Sequence, residues 1–153
     1  MIEVRCSTAA ETEALRRRVL RPGSSGPLPG DDGSEVVFFS AYDGAVVAST
    51  GNVRPAAAPF PVEGPPWRLR GMATAPDRRG EGLGAVVLAA LVAHCEQQGG
   101  AVLWANARTP ALAFYERAGF TTWGEAWEAP QIGPHVVIRL GLLAGVSRRP
   151  APG

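Results

Sequence analysis

The segment Met72-Ala73-Thr74-Ala75-Pro76-Asp77-Arg78-Arg79-Gly80-Glu81-Gly82-Leu83-Gly84 carries the strongest chemical signal in the chain. It reads as a strand running into a glycine-rich turn that opens a long helix. Glycines at 80, 82 and 84 strip side chains from the turn, so successive backbone N–H groups can converge on one small anion. The helix behind them adds its unpaired N–H groups and the positive end of its dipole, with Arg78 and Arg79 placing charge alongside. Such a turn suits a phosphate or pyrophosphate. A glycine turn that only allows tight packing before a helix is the plainer alternative. Two phosphate motifs are excluded by residue type. A P-loop ends in Gly-Lys-Ser/Thr, and this chain has no Lys, all 15 of its basic residues being Arg. The dinucleotide fingerprint needs G-x-G-x-x-G, whereas the spacing here is G-x-G-x-G, with Val87 where the last glycine would fall.

What fits is Arg/Gln-x-x-Gly-x-Gly/Ala, realised as Arg79-Gly80-Glu81-Gly82-Leu83-Gly84. Further on stands Asn106-Ala107-Arg108-Thr109-Pro110-Ala111-Leu112-Ala113-Phe114-Tyr115-Glu116-Arg117-Ala118-Gly119-Phe120. The two segments, in this order and separated by one helix and one strand, resemble the signatures of the GNAT N-acetyltransferase superfamily. The match covers roughly residues 67–140. The resemblance implies an acyl-CoA-dependent N-acyltransferase with acetyl-CoA as co-substrate and no metal. It also implies a strand before the glycine turn that splays from its neighbour. Backbone groups of Met72, Ala73 and Thr74 would hold the pantetheine arm and acyl carbonyl there, as if the cofactor were an added strand. The amides of Arg79, Gly80, Glu81, Gly82, Leu83 and Gly84 would hold the pyrophosphate, and the Asn106 side chain the pantetheine arm. Tyr115 falls at the position of the family's general acid, where a phenol of ordinary pKa ~10 protonates the departing thiolate. Without the resemblance, Tyr115 reads as a core aromatic and Asn106 as the start of a turn.

Acyl transfer to an amine also needs a group that removes a proton before attack. Candidates are His135, Glu125, Glu128, Glu63 and Glu35. His135 follows Gly133-Pro134 at the mouth of a strand, and imidazole is the side chain that changes charge nearest neutrality. A hydrogen-bonded turn histidine is the alternative. Arg16-Arg17-Arg18 reads as a solvated helix face rather than a substrate grip.

Positioning these residues requires a mixed α/β fold. Residues 2–6 read as a strand, 8–20 as a helix, and 21–33 as a Gly/Pro loop. Two β-branched and aromatic runs, 35–42 and 45–49, flank Asp43-Gly44, the signal for a type I′ hairpin with both central residues at positive φ. A second Pro-rich stretch, 54–66, precedes a strand at 67–75. Residues 82–98 form a helix with apolar residues on most sides, expected to be well buried. A strand at 101–105 follows, then a helix with Thr109 as N-cap, Pro110 at its first position and Gly119 past its end. Strands at 120–127 and 135–140 close the order. The expected architecture is a single-domain GNAT-like α/β fold over residues 1–144. Its sheet would be mixed and mostly antiparallel, flanked by helices and splayed between the strands at 67–75 and 101–105. Residues 145–153 read as a flexible tail.

Composition narrows the partners. The chain has 153 residues, a net charge of +1, 46% hydrophobic and 19% charged residues, which fits one soluble globular domain. That balance offers no pull toward nucleic acid or a membrane surface, and the N-terminus has no signal design. Cys6 and Cys95 are far apart with no metal-ligand spacing, so two reduced thiols in a cytoplasmic protein are expected. The reading is an N-acetyltransferase acting by direct transfer in a ternary complex on a small-molecule or peptide amine, with a homodimer left open. The acceptor pocket would be built from the first helix, the loops at 22–33 and 54–66, and the turn at 127–135. A non-catalytic acyl-CoA sensor and a nucleotide-phosphate binder are the alternatives.

Overall fold

The computed structural model describes residues 1–143. The expected tail at 145–153 lies outside the described residues. Seven strands form one mixed sheet in the order β1-β2-β3-β4-β5-β7-β6. They are β1 (Ile2–Ser7), β2 (Val37–Asp43), β3 (Val46–Pro55), β4 (Pro66–Thr74), β5 (Val102–Arg108), β6 (Thr121–Ala129) and β7 (Gly133–Gly141), with helices α1 (Ala9–Leu20), α2 (Leu83–Gln97) and α3 (Leu112–Arg117). The β1–β2, β2–β3, β5–β7 and β6–β7 pairs are antiparallel, and β4–β5 is parallel. The β4–β5 ladder consists of Pro66↔Val102, Trp67↔Leu103 and Arg68↔Trp104, and both strands run on past it.

The chain clusters into two compact units, Met1–Arg54 with Leu69–Leu91, and Pro55–Arg68 with Val92–Gly153. In the first, α1 starts on a capping box. Thr8 Oγ1 accepts from the Glu11 N–H at 3.1 Å while Glu11 Oε1 accepts from the Thr8 N–H at 2.9 Å, so two otherwise unpaired donors are satisfied reciprocally. Leu15 then packs with Ala73 and Ala75 of the β4 end. The hairpin differs from expectation. Asp43 pairs with Val46, so the turn is centred on Gly44-Ala45, and only Gly44 has positive φ, 62°. One positive φ at the first central residue is the type II′ pattern, not I′.

In the second unit, Phe60, Val102, Trp104 and Val137 form a core cluster flanked by Val62 and Trp123. The Trp104 indole N–H reaches the Ala56 carbonyl at 3.2 Å, anchoring the Pro-rich stretch after β3. Two further expectations are corrected. Thr109 is not an N-cap: residues Thr109–Ala111 form a 3-10 turn without a side-chain cap, and α3 starts only at Leu112. Pro110 suits that turn because it lacks the N–H that a first turn leaves unpaired. Helix α2 is also not buried all round. Leu83, Val87, Leu88, Leu91, Val92 and Cys95 are covered, while Ala85, Val86, Ala89 and Ala93 face solvent. Small alanines on the open side made the pattern look apolar throughout.

Candidate active site

The glycine turn lies in the first unit. Beyond Thr74, Pro76–Arg78 makes a 3-10 turn, and Gly80 and Gly82 take φ of 83° and 81° before α2 begins at Leu83. These values lie where side chains strain the backbone, so the glycines are needed for conformation. Neither is needed for space, since a Cβ at Gly80 or Gly82 would meet no atom within 4 Å. Among the described residues, the N–H groups from Glu81 to Ala85 have no protein acceptor, and the first to find one is Val86, on Gly82 O at 3.2 Å. Exposed N–H groups, open space in front of them and the helix dipole behind make a cradle that fits a phosphate-type anion. Charge is arranged differently from the sequence reading. Arg78 is committed to Glu81 at 3.0 Å and to Asp43 at 2.9 Å. Those carboxylates push its already high pKa further up, so Arg78 braces the turn and Arg79, exposed, faces solvent.

Of the β4 residues, Ala73 is buried, and Met72 and Thr74 are half-buried. Thr74 Oγ1 shares a hydrogen bond of 2.8 Å with Ser49 Oγ of β3, which fixes the side chain. Cavities of about 410 Å³ and 540 Å³ flank α1 in this unit. The first is walled by Leu15, Val47, Ala75 and Arg78, and the second by Thr8, Arg16, Asp31 and Phe38. The second lies between the first helix and the loop at 22–33. Arg16 is not a solvated residue. It is 1% exposed, and it donates to Thr12 Oγ1 at 2.9 Å, Asp31 Oδ1 at 2.8 Å, Ala9 O at 2.8 Å and Pro29 O at 3.3 Å.

In the second unit, Asn106 is exposed within β5 rather than at its end, two residues short of Arg108. Tyr115 on α3 is 9% exposed, with the rings of Phe114 and Phe120 at 5.0 Å and 5.6 Å. Burial pushes its phenol up to about 12, so it stays protonated across the physiological range. His135 opens β7 opposite Arg108 and Trp127, stacks on the Trp127 ring at 5.8 Å, and sets Nδ1 2.9 Å from Gly133 O. A carbonyl only accepts, so Nδ1 carries a hydrogen in this contact, and Nε2 is the ring nitrogen left outside it. Glu125 and Glu128 are exposed on β6, and Glu63 and Glu35 are exposed in loops. Cys6 is exposed and Cys95 buried, both as free thiols, and burial lifts Cys95 to about 12. Among the described residues no group of three or more His, Cys, Asp or Glu is placed to hold a metal ion. No described helix is long and apolar enough to cross a membrane. Sequence reading does not single out Asp32, Arg54 and Arg70, which the fold brings together; the available signal was two arginines, Arg68 and Arg70, alternating with Trp67 and Leu69 in a central strand.

The profile of the acetyltransferase (GNAT) family matches residues 9–120. An uncharacterized N-acetyltransferase of Bacillus subtilis, YitI, is 30% identical over 142 residues, covering 90% of this chain and 95% of its own. A crystal structure described as an acetyltransferase of the GNAT family from Desulfovibrio desulfuricans superposes with a TM-score of 0.69 at 25% identity, over 92% of this chain and 99% of that one. The ribosomal-protein-S18-alanine N-acetyltransferase of Escherichia coli shares the fold with a TM-score of 0.75 at 20% identity, over 96% and 98% of the two chains.

Proposed function

We propose that this chain, which belongs to the GNAT acetyltransferase family, moves an acetyl group from acetyl-CoA to a primary amine by direct transfer in a ternary complex. The observation that carries the reading is the cradle at Gly80 and Gly82, with positive φ, open space at both Cβ positions and unpaired N–H groups behind them. Bound acetyl-CoA would supply the acyl group as an activated thioester. Backbone N–H groups of Arg79, Gly80, Glu81, Gly82, Leu83 and Gly84 hold the pyrophosphate. Backbone groups of Met72, Ala73 and Thr74 hold the pantetheine arm in the manner of an added strand, and the exposed Asn106 amide bonds the same arm. Tyr115 holds a proton at Oη for the departing sulfur, and its raised pKa keeps that proton in place between turnovers. His135 Nε2 takes the amine's proton directly or through water. A buried thiol pushed up to about 12 is a poor nucleophile, so Cys95 does not favour an acyl-enzyme route. The acceptor is a small-molecule or peptide amine handled in the cytoplasm, with neither nucleic acid nor membrane as partner.

Thermal shift with acetyl-CoA, CoA, ATP and NAD tests the cradle, and free-thiol release across a panel of amines tests the transfer. Ligand at about 100 times its dissociation constant adds ~2.7 kcal/mol of stability. A shift with ATP or NAD but not with CoA would overturn the reading. Binding without thiol release on any amine would make the protein a sensor.

A further inference from the structure

The loop between α1 and β2 is fastened within the first unit by two adjacent aspartates that do different work. Asp31, with a third of its side chain exposed, receives the buried Arg16 and the Leu28 N–H. Asp32 is half exposed and bridges two guanidinium groups. Its Oδ1 accepts from Arg70 Nη2 at 2.5 Å and its Oδ2 from Arg54 Nη1 at 2.8 Å. Two cations thus share one carboxylate, and the trio keeps one net positive charge. The donors around it are not used up. Nε of Arg54 and Nε of Arg70 are buried without an acceptor, and Oδ1 of the fully buried Asn52, two residues before Arg54 on β3, has no donor. A pair built only to fasten a loop would be expected to satisfy these atoms, because a buried polar group without a partner is destabilising.

Beside Arg70, Gly71 has φ of 68°, outside regular strand geometry. A Cβ there would meet Asn52 Nδ2 at 2.7 Å and Pro29 O at 3.4 Å. Arg70, through Asp32, and Gly71, through Pro29, therefore both face the loop between α1 and β2. Arg70 stands two residues from Met72 in the same strand.

We propose that Arg54 and Arg70 form the binding site for a carboxylate on the acceptor amine, and that Asp32 occupies that site as a built-in stand-in until the acceptor displaces it. The substrate class is an amine that also carries a carboxylate, as a free amino acid does. The inference rests on the reading of Met72 as the acyl end of the cofactor groove. A planar two-oxygen anion already bridges the two guanidiniums, one oxygen to each, so an incoming carboxylate exchanges like for like in the same bridging geometry. The single surplus charge matches a monoanion. Release of Asp32 is eased because its own side chain is half exposed, so water takes up the freed carboxylate while the more buried guanidinium groups receive the incoming one.

The test is free-thiol release with saturating acetyl-CoA on the twenty amino acids, their amides and their decarboxylated amines. At least one amino acid should be acetylated with kcat/KM tenfold or more above both its amide and its decarboxylated amine. Arg70→Gln should raise the KM for that amino acid tenfold or more while the KM for acetyl-CoA stays within twofold. Asp32→Asn should lower the amino-acid KM and enlarge the thermal shift that the same amino acid produces, a readout that a loop-fastening role would not move in that direction. Equal use of amides or amines would overturn the proposal, as would a smaller shift in Asp32→Asn than in the wild type. Phosphoethanolamine outpacing every amino acid would also overturn it. If acetyl-CoA stabilises the protein but no amino acid releases thiol, this inference falls and the acyl-CoA reading stands. If acetyl-CoA itself fails to bind, the acyl-CoA reading falls and takes this inference with it.

Discussion

Replacing Gly82 by valine separates a binding glycine from a packing glycine. At φ of 81° a branched side chain is strained, and a left-handed residue costs ~1–2 kcal/mol. Nothing lies within 4 Å of the new Cβ, so no further steric penalty falls on the free protein. For a chain of this size ~1 kcal/mol lowers Tm by ~2–4 °C, so Gly82→Val should melt ~2–8 °C early and remain folded. Ligand binding should suffer far more. The added methyl groups fill the space in front of the free N–H groups. Two charge-assisted hydrogen bonds lost at ~1.5–3 kcal/mol each weaken CoA by ~100-fold or more. In differential scanning fluorimetry, acetyl-CoA at ~100 times the wild-type dissociation constant should raise the wild-type Tm by ~5–11 °C and leave the variant nearly unmoved. Gly100→Ala is the reverse control. Its Cβ would come within 2.8 Å of Trp67 Cδ1 and 3.0 Å of the Cys95 carbonyl oxygen, an overpacking that costs ~1–3 kcal/mol without touching the cradle. A Gly82→Val protein that melts as expected yet keeps its acetyl-CoA shift would refute the assignment.

Tyr115→Phe should lower kcat by about ten- to a thousandfold with little change in acetyl-CoA affinity, measured by steady-state thiol release; equal loss of both would mark a packing role. His135→Ala should lower turnover without weakening CoA binding, and recovery in His135→Gln would show that the ring only hydrogen-bonds the turn. Cys95, raised from 9.0 to about 12, keeps its proton in the folded state after the unfolded chain has lost it. Its contribution is therefore whole below pH 9 and is lost as pH rises toward 12, so urea midpoints should fall over that window and fall less in Cys95→Ala. Arg16→Ala should cost ~3 kcal/mol by urea titration, the low end for a broken buried pair, because Asp31 keeps a third of its side chain exposed.

Local chemistry was legible residue by residue. The turn at Gly80 and Gly82 needs a positive φ that glycine supplies, and the strand alternation of His135, Val137 and Arg139 follows from the pleat alone. These features depend on neighbours a few positions away, so the order of residues contains them. The resemblance over residues 67–140 then supplied the fold class, because two signatures at a set separation constrain the elements between them. The hairpin centre was misjudged by one residue, since Asp-Gly admits more than one turn register and strand pairing chose between them. The exposed side of α2 was misjudged because alanine is apolar enough to be buried and small enough to be left out.

Partner choice and burial were beyond reach of the sequence. Arg16, Arg17 and Arg18 are identical in type and adjacent, yet only Arg16 is enclosed, because it lies on the face that meets Pro29, Asp31 and Phe38. Asp31 and Asp32 are likewise adjacent and take cations 15 and 38 positions away, Arg16 and Arg70. Tyr115 reads as a core aromatic from its type and spacing, but the desolvation that raises its pKa comes only with the packed fold. Coulomb attraction and desolvation act through space, and in a sheet where β4 pairs with β5 across a helix, distance along the chain says little about distance in space. The residue types set which charges and donors exist; the fold decides which of them meet.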